Sequence, residues 1–338
     1  DSTGTPLTQS LASTFWREQA NEFLRQFISH LASIGVADRA FAYQTGAGHT
    51  GEWVKGLTSM RSPCGDYSAP MAAHFRAWLR RQYGEVQALR AAWADSSVSF
   101  ETATVPSADE QLNTAHGAFR DPRHEQNVID YYRCLADLCA DLIIGFNRTV
   151  KKATEGQVLA GAFYGYWMEL AWNAGFFFEG PDSLYSTYQR SGHLGLAKVL
   201  RSPHVDFLVS PYSYGFRGIG GHGAAMPPID TLRLHDKLYI YEDDTRTALA
   251  PPDAGFGRAH SLADSTAILK RNMGEVLTRG MGIWWSAGPS HIDPVREPSF
   301  QPLLARFQEL GTFALNLDRT PSAEVAVLVD DESLLYQS

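Results

Sequence analysis

Very little in this sequence points to a polyanionic partner, a membrane or a disulfide framework. Lysine and arginine form no run, and the formal net charge is −8 over 338 residues. Nucleic-acid binding needs a basic stripe set against phosphate, so no nucleic-acid partner is expected. No apolar stretch approaches the roughly 18 residues of a membrane span. Cysteine is scarce: Cys64, Cys134 and Cys139 build no disulfide framework and lack C-x2-C metal spacing. Cys134 and Cys139 sit in a helical pattern, as small buried hydrophobes do. This fits a reducing compartment, with the cytoplasm as the expectation. His49, His193, His204, His222, His235 and His291 offer neither H-x-H nor H-E-x-x-H, so neither metal nor cofactor is expected. No G-x-S-x-G elbow supports a serine hydrolase. The chain begins at Asp1 with neither methionine nor signal peptide, and is expected to be a fragment or a processed form. Asn147-Arg148-Thr149 is formally a glycosylation sequon, but it falls in a helical pattern.

Apolar and aromatic residues, by contrast, are plentiful: 44% hydrophobic, with 12% aromatic. Trp16 to Leu31 reads as an amphipathic helix on Phe23, Phe27 and Leu31, and Ala69 to Tyr83 as a second, stopped by Gly84. The longest helix runs from about Arg123 to Lys152, with Ile129, Tyr132, Leu135, Cys139, Leu142, Phe146 and Val150 on one stripe. Further helices are expected near His193 to Leu200, over Ser261 to Arg279 and over Gln301 to Phe313. Residues 95–122, polar and holding Pro106 and Pro122, read as a long excursion. Strands are expected at Ala40–Tyr43, Val158–Tyr166, Val205–Ser210, Lys237–Tyr241 and Gly282–Trp285. Their near-continuous apolar runs imply burial on both faces, as in a parallel sheet. Alternating βα units with chemistry-bearing residues at several strand C-termini favour a (β/α)8 TIM barrel. It is incomplete, holding about the last five βα units. Residues 1–320 are assigned to this partial barrel. Residues 321–338, with a strand at Ala323–Val329, are assigned to the beginning of a second α/β domain.

Glu242 is the foremost catalytic candidate. It follows the strand Leu238-Tyr239-Ile240-Tyr241 and opens the acidic triplet Glu242-Asp243-Asp244, for which Arg246 and Arg233 are the nearest plausible partners. Such charge beside a buried strand is costly without a purpose. Glu52, after a strand and the glycine loop 46–51, is the second candidate, with Trp53 beside it. Two carboxylates flanking a pocket are the minimum for cleaving a glycosidic bond; Glu169, Glu179 and Asp243 compete for either role. Tyr164, Tyr166, Tyr212, Tyr214, Trp284 and Trp285 fall at strand ends, where rings stack on the apolar faces of sugars and polar tips bond hydroxyls. A carbohydrate is therefore the expected partner, with Arg246 among its binding residues. Gly46-x-Gly48-x-x-Gly51 and Gly218-x-Gly220-x-x-Gly223 match the dinucleotide fingerprint, but neither opens a helix, so both read as βα loops.

The stretch FRAWLRRQYGEVQALRAAW, Phe75 to Trp93, resembles the segment of family 42 β-galactosidases that carries FxxWLxxxYG and then LNxxW. The glutamate after the strand at Glu52, the run YIYEDDTRT at 239–247 and a strand ending in Trp-Trp follow in the order of that catalytic domain. The resemblance implies a clan A barrel truncated at its N-terminus, with Glu52 as acid/base and Glu242 as nucleophile of a retaining β-glycosidase. It also implies that AEVAVLVDDES opens a flavodoxin-like domain, and that the full-length protein forms a trimer. Where the family places Asn before its acid/base, this chain has Gly51. That departure motivates one alternative, a carbohydrate-binding barrel without turnover. A metal-assisted barrel hydrolase using Asp243, Asp244 and loop histidines is the other.

Overall fold

The computed structural model describes residues 9–48, 51–53, 66–170, 172–173, 191–286 and 297–337. The expectations for His49, Cys64, Glu179 and His291 lie outside them. The chain divides into two compact units, Asp1–Asp206 with Asp330–Ser338, and Phe207–Val329.

In the first unit, α1 (Thr14–Ser33) starts at Ser13, whose hydroxyl accepts from the Trp16 N–H. After β1 (Ala42–Thr45), α2 (Ala69–Tyr83) is capped by Ser68 and stops at Gly84, and α3 (Val86–Trp93) follows at once. The segment 95–122 is less of an excursion than its polarity suggests. It holds α4 (Ala108–Leu112), started by a reciprocal Ser107–Glu110 capping box, and it buries Val98, Phe100, Ala103 and Val105. Helix α5 (Pro122–Ala153) buries all seven residues of its expected stripe, and others besides, because several elements pack around it. Asn147 of the sequon is fully buried, as are Cys134 and Cys139. Then come β2 (Leu159–Phe163), α6 (Trp167–Leu170), a 3-10 turn at His193–Gly195 and α7 (Leu196–Leu200).

Strands β1 and β2 pair in parallel, Ala42 opposite Leu159 through Thr45 opposite Ala162. Ile28, Val150 and Ala160, with Leu24, Tyr43 and Val158, form the core between this pair and helices α1 and α5. The face of α1 is a correction. Phe23 and Phe27 are exposed, and the helix turns Leu24 and Ile28 inward instead. One residue is about 100° of helix rotation, so a four-residue spacing fixes the period of an apolar stripe but not which of two adjacent stripes is covered.

In the second unit, β3 (Phe207–Pro211), β4 (Leu238–Asp243) and β5 (Gly282–Trp285) run parallel, with Pro211 opposite Glu242 and Glu242 opposite Trp284. Between them lie α8 (Ile229–Leu234) and α9 (Leu262–Arg279), and α10 (Gln301–Ala314) follows β5. Ser261 caps the start of α9, and Gly280, at φ 67°, ends it in the left-handed region. Every residue of β3 is buried, as a strand covered on both faces requires.

The expected strand at Ala323–Val329 is not formed among the described residues; Val325, Val327 and Leu328 are exposed and no ladder is made there. An apolar alternation becomes a strand only where another edge offers it hydrogen bonds. Residues 332–337 instead belong with the first unit, where Arg120 N–H donates to the Tyr336 carbonyl and Leu335 is buried. Parallel strands separated by helices, five of them among the described residues, are the architecture of an incomplete (β/α)8 barrel.

Candidate active site

Two clusters gather most of the expected residues, one in each unit. In the first, the chain leaves β1 through Gly46 and returns so that Ala47 and Glu52 form an isolated bridge. Trp53 is held at φ 59°, its N–H donating to the Ala47 carbonyl at 2.7 Å. Its indole N–H donates to the Thr45 carbonyl at 3.0 Å and its ring lies 5.7 Å from that of Phe146. Trp53 is fully buried, so both its ring and its polar tip are enclosed by protein. Glu52 beside it is half-buried, and the Tyr166 hydroxyl donates to its Oε1 at 2.9 Å.

Sequence reasoning left His193 among scattered histidines, yet it organises this cluster. Its Nδ1 accepts from the N–H groups of Gly165 and Tyr166, both at 3.1 Å, and its Nε2 faces the main-chain oxygen of Glu52 at 3.0 Å. The ring lies between Tyr164, 4.6 Å away, and Tyr166, 4.7 Å away. Complete burial pushes the imidazole down to about 3. The Tyr164 hydroxyl donates to the Gly192 carbonyl at 2.6 Å and accepts from the Gly195 N–H at 3.1 Å. Tyr164 and Tyr166 are both buried, so they act on the site through Glu52 and His193.

The second cluster surrounds the acidic triplet. On β4, side chains alternate between faces, and Asp243 meets the helix layer: Asn272 of α9 donates to its Oδ2 at 3.0 Å. Thr245 adds an N–H at 3.1 Å and a hydroxyl at 2.5 Å to Oδ1. Burial pushes the Asp243 carboxyl up even against these donors. Glu242, one residue earlier, therefore points to the face opposite α9, the one that lines the interior of a (β/α) barrel. It is half-buried there. Asp244 is buried between two guanidiniums: Arg217 Nη1 at 2.9 Å, and Arg246, which also donates to the Asp244 carbonyl at 2.8 Å. Burial alone raises the Asp244 carboxyl, but the two arginines outweigh it and hold it below the usual range. Asp243 thus has both oxygens on protein donors, while Asp244 is ion-paired to two buried guanidiniums, an arrangement that fixes the loop.

The loop after β3 braces that network. Arg217, which sequence reasoning missed, is fully buried, donates to the Tyr212 carbonyl at 2.7 Å and sits 3.5 Å over the ring of Tyr214. The Tyr214 hydroxyl donates to Asp244 at 2.9 Å, and the buried Tyr212 hydroxyl meets that of Thr245 at 2.8 Å. Arg246 is buried in this packing, 5.1 Å over Phe256. Arg233 lies elsewhere, donating to the Arg319 carbonyl at 2.7 Å. The glycine loop 218–223 turns carbonyls, not N–H groups, to a cation: Arg271 takes those of Gly218 and Gly221 at 2.9 and 3.0 Å. That is the reverse of a phosphate cradle. Trp284 and Trp285, half-buried at the end of β5, complete the cluster, Trp285 stacking 6.3 Å from Phe307. Of the competing acids, Glu169 is buried on α6 and accepts from Asn173 at 2.8 Å. Among the described residues no group of His, Cys, Asp and Glu is arranged to hold a metal ion.

The motif Phe75 to Trp93 lies in neither cluster. The Tyr83 hydroxyl and the Trp93 indole N–H both donate to Asp130 Oδ2 of α5, at 2.6 and 2.8 Å, and Gln126 donates to its Oδ1 at 2.8 Å. The Trp78 indole donates to Asp137 at 2.8 Å, and Phe75 is buried with its ring 5.6 Å from that of Tyr131. The motif is a clamp that fastens α2 and α3 to α5.

No protein-family model and no curated protein matches this chain. Solved structures do match its fold. The catalytic domain of a beta-amylase from Paenibacillus polymyxa superposes with a TM-score of 0.55 at 14% identity, over 88% of this chain and 68% of that one. An exo-beta-agarase gives a TM-score of 0.55 at 14% identity, over 90% of this chain and 38% of the agarase. A beta-galactosidase from the haloarchaeon Halorubrum lacusprofundi gives 0.54 at 15% identity, over 94% of this chain and 45% of that one. The chain thus spans about two thirds of the amylase domain and less than half of the other two, and it shares their barrel fold.

Proposed function

We propose that this chain carries the active site of a retaining glycoside hydrolase that removes terminal β-glycosyl residues, with galactose the favoured sugar. The observation that carries the reading is the position of Glu242, at the C-terminal end of a parallel barrel strand and on the face opposite the helix layer. Its acidic neighbours are committed elsewhere, Asp243 to α9 and Asp244 to its arginines. In the proposed reaction Glu242 attacks the anomeric carbon while Glu52 protonates the departing oxygen. Glu52 then takes a proton from the water that releases the sugar. Double displacement of this kind requires the two carboxyl groups about 5 Å apart. Tyr166 supports the acid/base role, because a hydroxyl donated to Oε1 fixes the orientation of the Glu52 carboxyl. Tyr214 and Trp284, which retain some exposure, are the rings assigned to the sugar; Trp53, Tyr164, Tyr212 and Arg246 support the site from within, and Trp285, opposite Asp243 on the helix side, stacks on Phe307. The enzymes whose barrels it shares include an amylase, an agarase and a galactosidase, and the Phe75–Trp93 motif narrows the proposal to a family 42 β-galactosidase type, assembled as a trimer in the full-length protein.

Hydrolysis of a panel of aryl β-glycosides tests the reading. The chain is expected to release the aryl group, fastest from the galactoside, and Glu242→Gln to slow release by about three orders of magnitude or more. Turnover that survives Glu242→Gln contradicts it. Binding of galactosides without hydrolysis by the unmodified chain supports instead a barrel that binds sugar without turnover, the reading for which Gly51 before Glu52 speaks.

A further inference from the structure

We propose that His193 is the positioning residue of the site: a neutral imidazole that ties the Glu52 peptide to the C-terminal end of β2 and so aims the Glu52 carboxyl at the Tyr166 hydroxyl. The inference deepens the glycosidase reading and rests on Glu52 being its acid/base. Three directed contacts converge on one ring. Two amide protons, from Gly165 and Tyr166, are aimed at Nδ1, so that nitrogen carries no proton of its own. The tautomer is then fixed as Nε2–H, which donates to the Glu52 carbonyl at 3.0 Å. Burial holds the ring uncharged through the neutral and mildly acid range, which removes it as a proton carrier and leaves it a fixed strut.

The seat beneath the ring is equally constrained. The His193 N–H donates to Ser191 Oγ at 3.1 Å. Gly192 adopts φ 84°, and a methyl group there would fall on Cys139 Sγ. A methyl at Gly195 would lie 2.8 Å from the Ala136 carbonyl and 2.9 Å from Ala140 Cβ. Segment 191–195 is therefore pressed onto α5 with no space to spare. Tyr166 contributes twice, its N–H to the imidazole and its hydroxyl to Glu52 Oε1, so one residue registers both ends of the Glu52 unit.

The test is carboxyl NMR on the whole chain labelled at glutamate, with Glu52 assigned by Glu52→Gln. His193→Phe keeps a flat ring between the tyrosines but removes both nitrogens, while His193→Gln returns an N–H donor near the Nε2 position. His193→Phe is expected to raise the Glu52 midpoint by about one unit, the size of one hydrogen bond lost from a charged group. Tyr166→Phe is expected to raise it likewise, and His193→Gln to restore most of the difference. In the unmodified chain, long-range nitrogen spectra are expected to show the neutral Nε2–H form from about pH 8 to about pH 5. An Nδ1–H tautomer, a ring that protonates above about pH 5, or an unmoved Glu52 midpoint in folded His193→Phe overturns the proposal. Should His193→Phe not fold, the tautomer and the failure or success of His193→Gln in holding the midpoint decide. If Glu52→Gln leaves hydrolysis intact, the acid/base reading falls while the titration still judges the strut; if it abolishes hydrolysis but the midpoint stays put, the strut alone falls.

Discussion

Replacing Asp130 with alanine tests the clamp that mounts α2 and α3 on α5. The carboxylate receives three donors: Tyr83 at 2.6 Å and Trp93 at 2.8 Å on Oδ2, and Gln126 at 2.8 Å on Oδ1. Removing it strands three donors, each costing about 1–3 kcal/mol when denied water. Asp130 itself is buried, but Tyr83 and Trp93 are half-exposed and recover some hydration, which places the loss near the low end, about 3–4 kcal/mol. Asp130→Asn separates charge from shape. It keeps one carbonyl for Tyr83 and Trp93 and relieves the burial that pushes the carboxyl up, so its cost is about 1–2 kcal/mol. Urea unfolding of the three proteins at neutral pH, with unfolding slopes compared, supplies the measurement. Alanine within about 1 kcal/mol of the unmodified chain, or asparagine costlier than alanine, would show that Asp130 does not clamp α2 and α3.

The remaining predictions concern packing, charge and pH. Gly195→Ala is expected to cost about 2–3 kcal/mol, because the Ala136 carbonyl it meets is backbone, while Gly145→Ala, helical and in open space, gains about 0.5–1 kcal/mol; thermal melts that rank the pair the other way would contradict this. Arg217→Leu leaves buried Asp244 with Arg246 as its remaining arginine and is expected to cost about 3 kcal/mol or more by denaturant titration. His193 stands near 3 in the fold against 6.5 in the unfolded chain, so below pH 6.5 only the unfolded chain takes up the proton, and stability falls with pH down to about 3 at about 1.4 kcal/mol per unit. Between pH 7 and pH 5 the unmodified chain should therefore lose about 2 kcal/mol more than His193→Gln, and equal losses would show that the ring is not held neutral. His74, pushed down to about 4 by burial and then by Arg17 and Arg81, adds a smaller loss of the same sign in both proteins because it is partly exposed.

Strands and the long helix were legible because their signals are local. The run VLAGAFYGY announces a strand covered on both faces, and the α5 stripe keeps its period for seven buried positions. Orientation is less local: the Phe23–Phe27 spacing points about one residue, or 100°, away from the covered face of α1, and among the described residues no strand edge pairs with the alternation at 323–329. The motif Phe75–Trp93 was recognised as a pattern, but its reason was hidden, because Asp130 lies 47 residues beyond Tyr83. The supports of the candidate site were hidden for the same cause. His193 meets Glu52 across 141 positions, and only the small residues around it, Ser191, Gly192 and Gly195, signalled a close approach. Arg217, in a loop of glycines, gave no sign that it would be buried against Asp244. The strand position of Glu242 was legible, whereas its separation from Asp243 and Asp244 in role depends on Asn272 of α9 and on two arginines.

Trapping a covalent sugar on Glu242 decides whether that carboxylate is the nucleophile proposed for it. A 2-deoxy-2-fluoro-β-glycoside with a good leaving group forms the glycosyl ester and releases it slowly, so digestion and mass spectrometry locate the label. One sugar per chain is expected on the peptide holding Glu242, absent in Glu242→Gln. Aryl glycoside hydrolysis accompanied by a label on another carboxylate, or by no label at all, would contradict it.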